Sequence, residues 1–122
     1  MFSIEVYRED KLIAVRLTGL LSADEVAAYI AEVKRQFVLN RLRDYCMVID
    51  VSDCPLQSQE MLRSMGAHMA TMPKAYALAI VTGDSIARGQ VRRLFTQPYA
   101  RITATVEEGR AWVLSGAEPL AA

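Results

Sequence analysis

Ala77-Leu78-Ala79-Ile80-Val81-Thr82-Gly83-Asp84 is the stretch on which the fold turns. Five apolar residues in succession, closed by threonine, glycine and aspartate, read as a strand covered on both faces. A helix follows, with Ala87, Val91, Leu94 and Phe95 on its inner face and Arg88 and Arg92 one turn apart on a neighbouring face. Ile102, Ala104 and Val106 then alternate with Thr103 and Thr105, the pattern of a strand near a sheet edge. Thr105 to Glu108 has the spacing of a capping box, and the helix behind it should bury Trp112. Between Tyr76 and Val113 the chain therefore runs strand, helix, strand, helix.

Upstream the same alternation continues. Phe2, Ile4 and Val6 alternate with Ser3, Glu5 and Tyr7, and Leu12 to Thr18 repeats the strand signal after a polar turn at Arg8-Glu9-Asp10-Lys11. So short a connection makes an antiparallel hairpin, closed at Gly19. Ser22-Ala23-Asp24-Glu25 is a capping box opening a helix with Val26, Ile30, Val33 and Phe37 on one face. A polar loop at Asn40 to Asp44 leads to Cys46-Met47-Val48-Ile49, a second doubly covered strand that should end at Asp50. Val51 to Gln57 reads as a loop, because Pro55 forbids helix before it. A helix from about Ser58 to Met72 carries the stripe Met61, Leu62, Met65, Met69, Met72, and Pro73 stops it. The order is β-β-α-β-α-β-α-β-α: an α/β domain over residues 1–115, a mixed sheet of about five strands with about four helices. Residues 116–122 read as a flexible C-terminal tail.

The 122 residues are one domain by length, and 52% hydrophobic with 23% charged is ordinary globular composition. Fourteen basic and fourteen acidic residues cancel. No global field draws nucleic acid to the chain, and zero net charge gives little protection against self-association, consistent with a homodimer. Cys46 and Cys54 have neither redox-pair nor zinc-knuckle spacing and read as reduced thiols. Met1 runs straight into the first strand, and no apolar run is long enough to span a bilayer; the cytoplasm is the expected location.

The Tyr76–Val113 segment, with its Ala-Arg-rich helix and its Glu107-Glu108 before Ala111-Trp112, resembles the bacterial stand-alone domains of the STAS/SpoIIAA-like superfamily. The order of elements extends that resemblance over nearly the whole chain. It implies a mixed sheet with helices packed on it. The anti-sigma factor antagonists of that superfamily carry a phosphorylated serine at the start of the helix after the central strand, which places Ser58 as the candidate phospho-switch. Gln57, Gln59 and Glu60 depart from the motif, and a serine there is also what any helix N-cap selects.

Other residues suggest further sites. Asp50, Asp53, Gln57 and Ser58 form a candidate interaction loop. Thr82, Ser85, Arg88 and Arg92 form a candidate anion or ligand site, since a helix N-terminus beside arginines suits a phosphate or carboxylate. Asp84 would repel an anion there, and it serves equally as a plain N-cap. Asp50, Asp53 and Thr82 also suggest receiver-type phosphoryl transfer, but Tyr7-Arg8 and Val106-Glu107 supply neither the acidic pair nor the lysine it needs. His68, the sole histidine, sits in the Met-rich helix as a half-buried or surface residue without a nucleophile. No catalytic residues, metal site or cofactor are expected. The reading is a non-catalytic regulatory or protein–protein interaction domain, its partner another protein or a second copy. The alternative is a small apolar or anionic, lipid-like ligand held between the Met-rich helix and the Arg88/Arg92 helix.

Overall fold

The computed structural model describes residues 1–83 and 85–119, with 85 and 86 through their backbone alone. Its elements are β1 (Phe2–Tyr7), β2 (Leu12–Thr18), α1 (Ala23–Asn40), β3 (Cys46–Asp53), α2 (Gln59–Thr71), β4 (Ala77–Val81), α3 (Ser85–Leu94), β5 (Ala100–Thr103) and α4 (Val106–Ser115). The order agrees with that read from the sequence. One five-stranded sheet runs β1-β2-β3-β4-β5, with β1 antiparallel to β2 and the remaining pairs parallel.

Chain order decides how the layers form. Each parallel crossover steps the same way across the sheet, and right-handed crossovers then place α1, α2 and α3 on one face. Side-chain alternation divides accordingly. Ile13, Val15, Leu17, Met47, Ile49, Leu78 and Ile80 join Val26, Tyr29, Val33, Met61, Met65 and Val91 in the larger core. Leu12, Cys46, Val48, Ala77, Ala79 and Val81 face the other way, packed with Val113 and with partly buried Val106 and Trp112 of α4. α4 follows the edge strand and folds back over β3, β4 and β5. It lies close because Gly109 has no side chain: a Cβ there would meet Ala79 Cβ at 3.2 Å, Thr103 Oγ1 at 3.3 Å and Val81 Cγ2 at 3.4 Å.

Local signals hold where they were read. Ser22 and Glu25 form a reciprocal capping box on α1, and α1 ends at Arg41 in the left-handed region. Gly19 leaves β2 at φ +73°, a conformation that favours glycine.

Six details differ from the sequence reading. β3 continues past Asp50 to Asp53, because β2 still offers it a partner: Thr18 pairs with Asp53 beyond a register shift after Arg16. β5 stops at Thr103, and Val106 belongs to α4. Thr105 caps that helix, accepting from the Glu108 amide at 3.1 Å, which turns the chain out of the sheet. The Glu108 carboxylate reaches the Ala104 amide at 3.2 Å, one residue short of a reciprocal box. Trp112 is only half-buried, its ring under the Arg101 guanidinium and its Nε1 donating to the Tyr99 carbonyl at 3.2 Å; Gly109 and Val113 are the buried residues of α4. On α1 the central buried side chain is Tyr29, while Ile30 and Phe37 are partly buried. Beyond α4, Gly116 forms a left-handed cap and Glu118 pairs with Arg101 at 2.8 Å, so the segment read as a tail begins bonded to the domain. Residues 120–122 lie outside the described residues.

Candidate functional site

The four residues of the expected interaction loop fall at the carboxyl end of the sheet, each with a structural bond of its own. Asp50 lies within β3 and accepts from the Ser52 amide at 3.0 Å and hydroxyl at 2.6 Å. That is the local turn chemistry of an aspartate at a strand end. Asp53 is ion-paired with Arg16 on β2. Ser58 is exposed and caps α2, its hydroxyl accepting from the Met61 amide at 3.1 Å.

Gln57 is the organising residue. Its side-chain oxygen accepts from the Leu21 amide at 3.0 Å, and its side-chain nitrogen donates to the carbonyls of Gly19 at 3.1 Å and Pro55 at 2.8 Å. Its backbone exchanges two bonds with Gln90 of α3: Gln57 N–H to Oε1 at 2.9 Å, and Gln90 Nε2 to the Gln57 carbonyl at 3.1 Å. Each bond contributes on the order of 1 kcal/mol net. Together they tie the β2–α1 loop, the β3–α2 loop and α3 into one rigid rim.

Below this rim α2 and α3 enclose a partly open apolar cleft with a cavity of about 50 Å³. α2 contributes Met61, Leu62, Met65 and Met69; α3 contributes Ala87, Gln90, Val91 and Leu94; the floor includes Leu17, Tyr29 and Ile49. Arg88 and Arg92 do not line it. The reason is helical spacing: 87, 90, 91 and 94 share one face of α3, and 88 and 92 fall beside it. Leu20 and Leu56, on the two loops that Gln57 joins, are 68% and 48% exposed.

Thr82, Arg88 and Arg92 do not come together as an open anion site. Thr82 is fully buried, and its amide donates to the Thr103 carbonyl at 3.0 Å. Arg88 is half-buried, with Nε unpartnered among the described residues, and Arg92 is exposed. The Ser85 side chain and Asp84 lie outside the described residues.

His68 is buried more deeply than the half-buried or surface position read from the sequence. It is 5% exposed, packed edge-on against Tyr29 with ring centroids 5.7 Å apart. α1 packs on α2 at this point, and its Tyr29 covers the imidazole. Burial, and secondarily the Lys34 ammonium, hold its pKa below the usual value. Cys54 lines the cleft, and burial pushes its thiol up to about 11, so it stays protonated and weakly nucleophilic at neutral pH. Among the described residues no three His, Cys, Asp or Glu side chains converge as a metal site, and no helix is long and apolar enough to cross a membrane.

Gln90, Leu17 and Tyr29 escaped the sequence reading as site residues. Gln90 sits three residues after Ala87 on the inner face of α3, and that spacing was the available signal.

A scan against protein-family models finds no match, and neither does a search of curated proteins. Among solved structures, an uncharacterized DUF3478-family protein from Shewanella loihica PV-4, described as having a SpoIIAA-like fold, superposes with a TM-score of 0.70. The match covers 93% of this chain and 92% of that one. The chain has a SpoIIAA-like fold. At 12% identity the likeness is one of fold, and it includes the strand and helix order set out above.

Proposed function

We propose that this SpoIIAA-like chain is a non-catalytic, STAS-like regulatory domain that recognises another protein, or a second copy of itself, at the carboxyl end of its sheet. The observation that carries this reading is the apolar cleft between α2 and α3 beside a bonded rim bearing exposed Leu20 and Leu56. A cavity of about 50 Å³ has room for the end of one apolar side chain. It is far smaller than the roughly 300–1,000 Å³ of a drug-sized ligand pocket. The rim is held in place by Gln57, so little ordering entropy is lost when a partner docks. A phosphate on Ser58 would stand at the N-terminus of α2, where free amides and the helix dipole favour it, and would recharge the docking surface without unfolding it.

A second reading rests on the three methionines of the cleft. Flexible thioether side chains repack readily, so Met61, Met65 and Met69 could open the cleft around a small apolar molecule.

Native mass spectrometry of the protein purified gently from its source, set beside its denatured mass, separates the two. Extra mass released on denaturation supports the small ligand. A bare mass supports the protein partner, and a photo-crosslinker at Leu56 should then capture a defined partner or a second copy, with capture lost in Leu20→Asp. Absence of any cross-link would sink the interaction reading.

A further inference from the structure

We propose that a phosphate-bearing anion binds at the opposite end of the sheet, in the hollow between the β1–β2 turn and the α1–β3 loop. The site is independent of the α2–α3 cleft. The hollow has a volume of about 640 Å³, and its walls carry Arg8, Lys11, Arg41 and Arg43 against a single carboxylate, Asp44. Four cations less one anion leave the lining at +3, in a chain whose net charge is zero. None of the four cations joins an ion pair among the described residues.

The arrangement is built, beyond being charged. Arg8 donates from Nε to Asn40 Oδ1 at 2.8 Å, and Asn40 is braced in turn by the Gln36 carbonyl and side-chain oxygen, each at 2.9 Å. That strut from α1 fixes the guanidinium while leaving further N–H groups to donate. Lys11 and Arg41 both have φ of 52°, and they are the non-glycine residues with positive φ among the described residues. Glycine or asparagine would sit there more easily. Instead both positions carry cations, and both border this hollow.

One effect opposes an anion. The carboxyl end of α1 lies here, and its dipole places a partial charge of roughly −0.5 at the last turn, partly answered by the amides of Arg41 and Leu42 donating to the Val38 and Phe37 carbonyls. Arg8 also approaches the Leu39 carbonyl, at 3.5 Å, and Arg41 sits at the cap itself, so the net +3 outweighs it. A monocarboxylate would answer only one of those charges. A phosphate monoester or diphosphate answers two or three, and guanidinium forks match its oxygens. The phosphate can be free or carried by a lipid headgroup; Leu39, 56% exposed in the wall of the hollow, would lie against acyl chains in the second case.

The test uses the full chain and two probes: sodium pyrophosphate by calorimetric titration, and phosphatidylcholine vesicles with and without phosphatidic acid by co-sedimentation. Saturable binding to pyrophosphate supports a free phosphate. Binding only to the phosphatidic acid vesicles supports the lipid-borne source. In either case Lys11→Gly/Arg41→Gly should weaken binding about tenfold or more, with Tm unchanged or raised because glycine accepts these φ values. Arg92→Gln/Arg93→Gln, which removes the same charge from exposed positions on α3, should change affinity by no more than about twofold. If the glycine pair does not fold, Arg43→Gln repeats the test. The proposal is overturned if neither probe binds saturably, or if the α3 pair weakens binding as much as the variants in the hollow.

Discussion

The two faces of the sheet are built to different tolerances. On one, a single helix lies against Cys46, Val48, Ala77, Ala79 and Val81, and Gly109 lets it approach to ordinary contact distance or less. On the other, three helices meet over a layer of methionines and large aliphatic residues and leave a cavity of about 50 Å³. Small, stiff residues make a thin layer, closely packed where Gly109 meets Ala79 and Val81. Long, unbranched ones make a thicker layer that can rearrange. The face that can rearrange is the one whose helices line a cleft, and the tight face serves as its foundation.

The largest test of that contrast is a glycine on each face. Gly109→Leu forces a side chain between α4 and β4, where neighbours already stand within 3.4 Å of a Cβ. Urea denaturation should show a loss of about 3 kcal/mol. Gly66→Ala on α2 meets only Leu94 Cδ2 at 3.6 Å, so helix propensity should dominate and give a gain of about 0.5–1 kcal/mol. A loss at both positions would mean that the two faces are equally tight.

The next effect is pH-dependent. His68 is buried with both ring nitrogens unpartnered among the described residues, and its pKa lies below the ordinary 6.5. The folded chain therefore favours neutral imidazole. Its contribution is complete above the unfolded pKa and is lost as pH falls toward and through the lower folded value, at a slope of up to about 1.4 kcal/mol per pH unit. Lys34 and the Tyr29 ring face it from α1, and neither can take up the new charge. Tm measured between about pH 7 and pH 5 should fall more steeply for the wild type than for His68→Phe. Superimposable profiles would remove His68 from the thick face's acid response.

The smallest effect concerns the rim. Ser58→Ala should cost about 1 kcal/mol through the lost cap on α2. Ser58→Asp keeps an acceptor there and should leave Tm almost unchanged while altering partner capture at Leu56. If Ser58→Asp changes neither, Ser58 is a cap alone.

Much of the fold was legible because its signals are local. Ser22-Ala23-Asp24-Glu25 and Ser58 mark helix starts by side-chain chemistry that needs no tertiary contact. Runs such as Ala77 to Val81 declare a buried strand by themselves. The misplaced boundaries are those set by distant partners: β3 runs on because β2 is there, and Val106 joins α4 because Thr105 caps it. The sites were less legible. Gln57 was named for its place in a loop, yet its geometry depends on Gly19, Leu21 and Gln90, more than thirty residues away in either direction. The basic hollow was hidden by a net charge of zero, since Arg8 and Lys11 stand some thirty residues before Arg41 and Arg43. His68 is buried more deeply than its sequence position suggested because periodicity gives the apolar stripe of α2 but not which of its neighbours α1 covers.

The strand order of the sheet is also the order of the chain. Each new strand can therefore add to an edge already formed as the polypeptide leaves the ribosome, without insertion between earlier ones. The exception is the second face. Val48, Ala79 and their neighbours wait bare until α4, the ninth element in chain order, arrives to cover them. A chain stalled or clipped before Val106 would have a paired sheet with one apolar side open, which is the kind of surface that chaperones hold and that aggregates recruit.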